Sequence, residues 1–248
     1  MKLLVDVGNS RLKWARLDAT GPLAPGGVFA HAQVVLGDAL AREWRDLADI
    51  EAVHVASVVE PAREDELAAI VRERFGLGAQ FARSPAAALG VRNAYAQPAR
   101  LGVDRFLAMV AAQAAAPRLQ VLASVGTALT IDALAADGEH LGGLIVPSPL
   151  LMRRAVIAAT ARVELRAEGR YRDWPASTDD GVYSGALQAA AGAIERFRAA
   201  LAKRCGAPAA LLLGGGGSDE LAPLLPAAQR VHDLVLQGLA HWARSAPA

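Results

Sequence analysis

Apolar runs closed by a small polar turn occur twice along the chain, in the same layout. Near the start, Leu3-Leu4-Val5-Asp6-Val7 leads into Gly8-Asn9-Ser10 and then Arg11-Leu12-Lys13-Trp14. At mid-chain, Val121-Leu122-Ala123-Ser124-Val125 leads into Gly126-Thr127 and then Ala128-Leu129-Thr130-Ile131-Asp132. Each reads as a buried strand, a tight turn and a second strand. At an offset of 118 residues, Asp6-Val7-Gly8 falls on Ser124-Val125-Gly126, which predicts an internal duplication.

The same patterning predicts the remaining elements. Strands at 2–7 and 11–17 form a hairpin, and 20–27, rich in Pro and Gly, reads as a loop. A helix at 38–49 carries Leu40, Trp44 and Leu47 on one side. A buried strand at 52–59 is followed by a charged amphipathic helix at 60–75 with Pro61 in its first turn. A loop at 93–100 leads to a helix at 104–116, which Pro117 ends. In the second half, strands fall within 119–134 and at 141–146, a helix at 149–161, and an irregular stretch at 162–175. A long helix at 178–203 follows the cap-like Ser177-Thr178-Asp179, and a strand at 209–213 runs into glycines 214–217. A short helix and a terminal helix at 233–244 close the chain. Strands and helices alternate in both halves, so the fold class is α/β, with an N-terminal domain at 1–117 and a C-terminal domain at 118–248. Ligands in such folds bind at the C-terminal ends of strands, where Asp6, Ser124 and Gly214 all fall.

Composition narrows the function. The 248 residues are 53% hydrophobic, enough for a sizeable core, and the net charge of +1 offers no field to attract nucleic acid. No apolar run is long enough to predict a membrane span, and the N-terminus has no signal-peptide layout, so a cytoplasmic protein is expected. The single cysteine, Cys205, excludes an internal disulfide and reads as inert. The five histidines have no metal-ligand spacing, and no GxSxG elbow occurs.

The hairpins suggest phosphate chemistry. Gly8 lets the backbone approach a ligand, and the amides of Gly8, Asn9 and Ser10 can converge on an anion. Asn9 and Ser10 add donors, Lys13 adds a charge, and Asp6 at the strand end is placed to hold Mg²⁺ directly or through water. An ordinary hairpin with an Asx-type turn is the plain alternative. No GxxxxGK[ST] and no GxGxxG opening a helix is present. In Tyr95-Ala96-Gln97-Pro98-Ala99-Arg100-Leu101-Gly102-Val103-Asp104-Arg105, a loop becomes a helix. Asp104 reads either as a base for a substrate hydroxyl or as a plain helix cap, and Arg105 either as a carboxylate anchor or as a solvated side chain. Thr178 before Ser184-Gly185 offers a hydroxyl or a cap, and glycines 214–217 fit either an adenosine-side loop or a flexible one.

The ordered set of motifs resembles the type III pantothenate kinases, in particular their Bvg accessory factor branch. It comprises Asp6-Val7-Gly8-Asn9-Ser10, Tyr95 through Arg105, Gly126-Thr127-Ala128-x-Thr130, Gly142-Gly143-Leu144-Ile145-x-Pro147, Thr178 with Ser184-Gly185, and the glycine run. The resemblance implies a duplicated ribonuclease H-like fold of the acetate and sugar kinase/Hsp70/actin superfamily, with the active site in the cleft. It implies transfer of the γ-phosphoryl group of ATP to pantothenate, the first step of coenzyme A synthesis. Asp6, Val7, Gly8, Asn9, Ser10, Arg11, Leu12 and Lys13 would form the first phosphate loop, and Gly126 and Thr127 the second. Asp104 would be the general base, and Tyr95, Gly102, Val103, Asp104, Arg105 and Thr178 would bind pantothenate. The family's homodimeric state, its Mg²⁺ requirement and its use of K⁺ or NH₄⁺ carry over as expectations.

Three positions depart from the family pattern. An aspartate that helps bind the monovalent cation is replaced by Ser124, a glycine after Pro147 by Ser148, and the usual Thr-Gly-Gly start of the adenosine loop reads Leu213-Gly214-Gly215. A neutral serine oxygen predicts weaker monovalent-cation dependence. It also leaves a second reading, a catalytically weak nucleotide-binding regulator that affects gene expression. Near-zero net charge argues against direct DNA contact by such a regulator.

Overall fold

The computed structural model describes residues 1–18, 21–31, 34–160 and 167–245. Two compact units result, one of residues 1–116 with the chain from 233 onward, the other of residues 117–232. The terminal helix, assigned on sequence to the C-terminal half, therefore belongs to the first unit.

In the first unit, β1 (Lys2–Val7) pairs antiparallel with β2 (Arg11–Leu17), which pairs antiparallel with β3 (Leu23–Ala30). On its other side β1 runs parallel to β4 (Ala52–Ser57), and β4 parallel to β5 (Ala79–Phe81), giving the order β3-β2-β1-β4-β5. Side chains alternate across a strand, so Leu3, Val5 and Val7 share one face with Leu12, Trp14, Val53 and Val55. That face is buried under α1 (Leu36–Glu43) and α2 (Pro61–Phe75) through Leu36, Leu40, Leu67 and Val71. The opposite face carries Lys2, Leu4 and Asp6 from β1. Against β1 and β4 pack α3 (Val103–Ala115) and α7 (Leu234–Ser245), and Lys2 Nζ donates to the carbonyl of Ala243 in α7. A short hairpin of β6 (Ala87–Ala88) and β7 (Val91–Arg92) precedes α3.

Two predicted elements of this unit need correction. The stretch 20–27, read as a loop, contributes to β3, an edge strand that runs from Leu23 (residues 19 and 20 lie outside the described residues). Its glycines serve close approach: a Cβ on Gly26 would lie 2.2 Å from Trp14 Cε3, and one on Gly27 2.7 Å from Trp14 Nε1. Pro25 is tolerated because edge strands need not donate on both sides. The helix expected at 38–49 spans only Leu36–Glu43, because Trp44 turns into the core and the backbone leaves helical geometry. Arg74 Nη2 donates to the carbonyls of Trp44, Arg45 and Leu47 at 3.1, 3.1 and 3.2 Å, satisfying groups the helix end leaves open.

The second unit repeats the pattern. β8 (Gln120–Val125), β9 (Ala128–Leu134), β10 (His140–Pro147), β11 (Ala210–Gly214) and β12 (Ala228–Arg230) take the order β10-β9-β8-β11-β12, with the same parallel and antiparallel partners as in the first sheet. The helices are α4 (Pro149–Ala159), α5 (Thr178–Cys205) and α6 (Ser218–Leu221). Leu187, Ala190, Ala191 and Ile194 of α5 close the core over β8, β9 and β11. Of the stretch predicted as irregular, 162–166 lies outside the described residues.

Candidate active site

The first unit gathers its chemistry-bearing groups around the end of β1. Asp6 on β1 stands directly opposite Lys13 on β2, and beside Ala56 on β4. The turn between the strands is closed by Gly8 N donating to Arg11 O at 3.0 Å, with Asn9, Ser10 and Arg11 exposed. Val7 and Leu12, which flank the turn, point their side chains into the core, so only their backbone could face a ligand. Lys13 Nζ donates to Asp233 Oδ1 at 2.7 Å, immediately before α7. Asp233 was not singled out on sequence. Its only sequence signal is an acidic residue ahead of an apolar helix, and its partner lies 220 positions away.

These charges act on one another. The Asp6 carboxyl is pushed up to about 7, first by burial and then by the negative charges of Asp104 and Asp233, with Lys13 opposing. Part of the Asp6 residue stays open to solvent, but protein atoms crowd its carboxylate. Three carboxylates with one nearby ammonium leave an excess of negative charge on hard oxygen donors. This donor chemistry fits a divalent cation that keeps most of its water and shares a phosphate. Among the described residues, no group of three or more His, Cys, Asp or Glu is placed to hold a metal ion by itself, so any such cation would need ligands from the nucleotide and water.

Asp104 sits in the first turn of α3, whose N-cap is Gly102. A Cβ on residue 102 would lie 2.5 Å from Asp104 Oδ1, so glycine makes room for the carboxylate. Asp104 Oδ1 accepts from Arg105 N at 2.8 Å, which fixes the rotation of the carboxylate, and Asp104 does not serve as the N-cap. Arg105 is buried, so the reading of a solvated side chain fails. Its Nη1 donates to Tyr95 Oη at 3.1 Å and its guanidinium lies 5.9 Å from the Tyr95 ring centroid. Val103 is buried beside them.

In the second unit, Gly126 N donates to Ala128 O at 2.9 Å, a hairpin one residue shorter than the first. Gly126 and Thr127 are exposed. Ser124 occupies the place that Asp6 holds in the first sheet, and opposite it stands Thr130 rather than a lysine. Ser148 caps α4 and donates from Oγ to Thr127 O at 2.9 Å. Glycines 214–217 are not a flexible loop: a Cβ on Gly215 would lie 2.5 Å from Val125 O, and Gly217 N donates to that carbonyl at 2.9 Å. Thr178 is exposed at the start of α5, and the cap bond is made by Ser177, which accepts from Asp180 N. Ser184, in contrast, is buried and accepts from Arg172 N at 2.9 Å, a structural tie. A concavity of about 500 Å³ in this unit is lined by Glu168, Arg170, Tyr171, Tyr183, Asp219 and Glu220 among others. It touches none of the predicted site residues, and Asp219 and Glu220 are committed to Arg230 and Arg153.

Comparison with known proteins agrees with the duplicated topology. Two solved structures share the fold over nearly the whole chain. A Campylobacter jejuni protein described as a Baf family transcriptional activator gives a TM-score of 0.61 at 20% identity, covering 96% of each chain. A Sinorhizobium meliloti protein described as a 2-dehydro-3-deoxygalactonokinase gives 0.61 at 14% identity, covering 99% of each. The fold is that of the actin, hexokinase and Hsp70 group, two similar domains each built on a mixed sheet. The model of the type III pantothenate kinase family matches residues 2–200. A type III pantothenate kinase of Xanthomonas campestris pv. campestris is 44% identical over 246 residues, covering 97% of this chain and 96% of the relative. The chain belongs to the type III pantothenate kinase family.

Proposed function

We propose that this protein phosphorylates pantothenate at its primary hydroxyl with ATP, giving 4′-phosphopantothenate and ADP, the first step of coenzyme A synthesis. Besides family membership, the observation that carries this reading is the convergence of Asp6, Lys13 and Asp104 at one end of the first sheet. Phosphoryl transfer is mainly positioning and charge neutralisation, and this end supplies both.

Each hairpin acts as a phosphate loop. In the first, the Asn9 and Ser10 amides and Lys13 meet phosphate oxygens while the Gly8 amide closes the turn; in the second, the Thr127 amide does so while the Gly126 amide closes the turn. Asp6 would hold the Mg²⁺ that accompanies ATP, and the ion would neutralise charge on the phosphates. Asp104 accepts the proton of the pantothenate hydroxyl as that oxygen bonds to the γ-phosphorus and the bond to ADP breaks. Arg105, steadied by Tyr95, binds the pantothenate carboxylate, Gly102 gives the loop room, and Thr178 offers its hydroxyl to the substrate. With Ser124 in place of aspartate, monovalent-cation activation is weak.

The protein works as a cytoplasmic homodimer in this reading. Leu144 and Ile145 on β10 and Leu150, Leu151, Val156 and Ile157 on α4 are exposed apolar side chains, of the kind a second copy would cover. Among the described residues, no helix is long and apolar enough to cross a membrane.

Asp104→Asn tests the assignment. It is expected to lose 4′-phosphopantothenate formation by about 10²-fold or more, read by mass spectrometry, while MgATP affinity stays near wild type. Product formation close to wild type would remove Asp104 from the role of base.

A further inference from the structure

The two phosphate turns are each held from behind by a side chain at the same place in the duplicated fold. His31 is the first residue after β3, and Ser148 the first after β10. Both are buried, 5% and 3% exposed. His31 Nε2 lies 2.6 Å from Gly8 O, and Ser148 Oγ donates to Thr127 O at 2.9 Å. We propose that His31 and Ser148 are positioning residues that fix the turn carbonyls and so present the turn amides to the phosphates of the nucleotide. The proposal rests on the kinase reading above.

His31 is the more constrained of the two side chains, since both its ring nitrogens and its backbone are engaged. A carbonyl only accepts, so the ring proton is on Nε2; a guanidinium only donates, so Nδ1 accepts from Arg63 Nη2 at 3.4 Å. Arg63 also donates to His31 O at 2.9 Å and is itself paired with Glu66 at 2.7 Å. His31 N donates to Ser10 O at 3.3 Å, so the same residue holds two carbonyls of one turn. The tautomer and ring orientation are thereby set by the fold. The Gly8–Asn9 peptide is trans, and in a planar trans peptide the N–H points opposite to the C=O. With the Gly8 carbonyl drawn toward His31, the Asn9 amide is turned to the other side of the turn, where an anion would sit. Without the imidazole, that peptide is free to rotate and the donor loses its aim.

The test measures MgATP affinity by calorimetry, and steady-state kinetics, for wild type, His31→Leu, His31→Gln and Ser148→Ala. His31→Leu is expected to weaken MgATP binding about tenfold, less than the ~10²–10³ lost when an oxyanion donor is deleted outright. The KM for pantothenate stays within about twofold, since only the phosphate turn is affected. His31→Gln, whose amide can donate to Gly8 O, recovers most of the loss. Ser148→Ala shifts MgATP affinity in the same direction by a smaller factor, and decides the matter if His31→Leu does not fold. Unchanged MgATP affinity in a folded His31→Leu protein, an equal rise in pantothenate KM, or a glutamine variant no better than leucine would overturn the proposal. Wild-type protein that binds MgATP but shows no pantothenate-dependent turnover would defeat the kinase reading alone, and the affinity series would still decide this one. Wild-type protein that binds no MgATP would defeat both.

Discussion

Lys13 and Asp233 are 220 positions apart in the chain and 2.7 Å apart in the fold. The pair joins the phosphate hairpin to the start of the last helix within one unit. Asp233 takes a left-handed backbone conformation, φ 51°, which is strained for most residues and tolerated by Asp and Asn. Such strain persists only where the surroundings enforce it.

Asp233→Asn separates charge from backbone. Asparagine accepts the same φ, so only the ion pair is lost. Both side chains are about a third exposed or more, so the stability change should stay within about 1 kcal/mol. The KM for ATP should rise roughly fivefold, about 1 kcal/mol of lost positioning of the Lys13 charge. In a Lys13→Met background, Asp233→Asn should add little; a full additional rise would separate the two residues.

A second prediction concerns His54, which lies in β4 beside Leu4 of β1 and is 2% exposed. Its pKa is lowered to about 4, first by burial and then by the Lys2 charge. Between pH 6.5 and 4 the unfolded chain takes up a proton that the folded chain refuses, so stability present above pH 6.5 falls as pH falls through that window. The loss amounts to up to about 3 kcal/mol. Urea midpoints at pH 7.5 and pH 5 should therefore diverge more for wild type than for His54→Leu. Equal divergence would mean that His54 is accessible to protons in the fold.

The crossing of α3 and α7 supplies a third. A Cβ on Gly238 would lie 2.0 Å from Leu107 O, against backbone that cannot swing aside. Gly238→Ala should destabilise by about 1–3 kcal/mol through overpacking, measured as a lower urea midpoint. A neutral result would show that the two helices can move apart at little cost.

The asymmetry between the two hairpins gives a fourth. Asp6 faces Lys13 in the first sheet, whereas Ser124 faces Thr130 in the second. Ser124→Asp adds a carboxylate at the second position and should raise the activation of turnover by K⁺ above that of wild type. Strong K⁺ activation in wild type, unaltered by the substitution, would place the monovalent ion elsewhere.

Both hairpins were legible because their signals are local: an apolar run, then glycine with a hydroxyl or amide residue. The duplication followed from their spacing, and the two strand orders match element for element. What sequence missed depends on distant partners. Gly26 and Gly27 looked like a loop because nothing local reveals that the Trp14 ring lies against them. His31 looked like one of five scattered histidines until the fold set it under Gly8. Asp233 gained meaning only when the last helix returned to the first unit. Helix ends were misjudged where a remote side chain, such as Arg74, takes over the open carbonyls.

The central claim is tested most directly by ADP release from purified protein supplied with ATP and Mg²⁺, with and without pantothenate. The account predicts release that depends on pantothenate and matches 4′-phosphopantothenate formed, mole for mole, by mass spectrometry. Bound ATP with no pantothenate-dependent release would contradict it and would favour a nucleotide-binding protein without this chemistry.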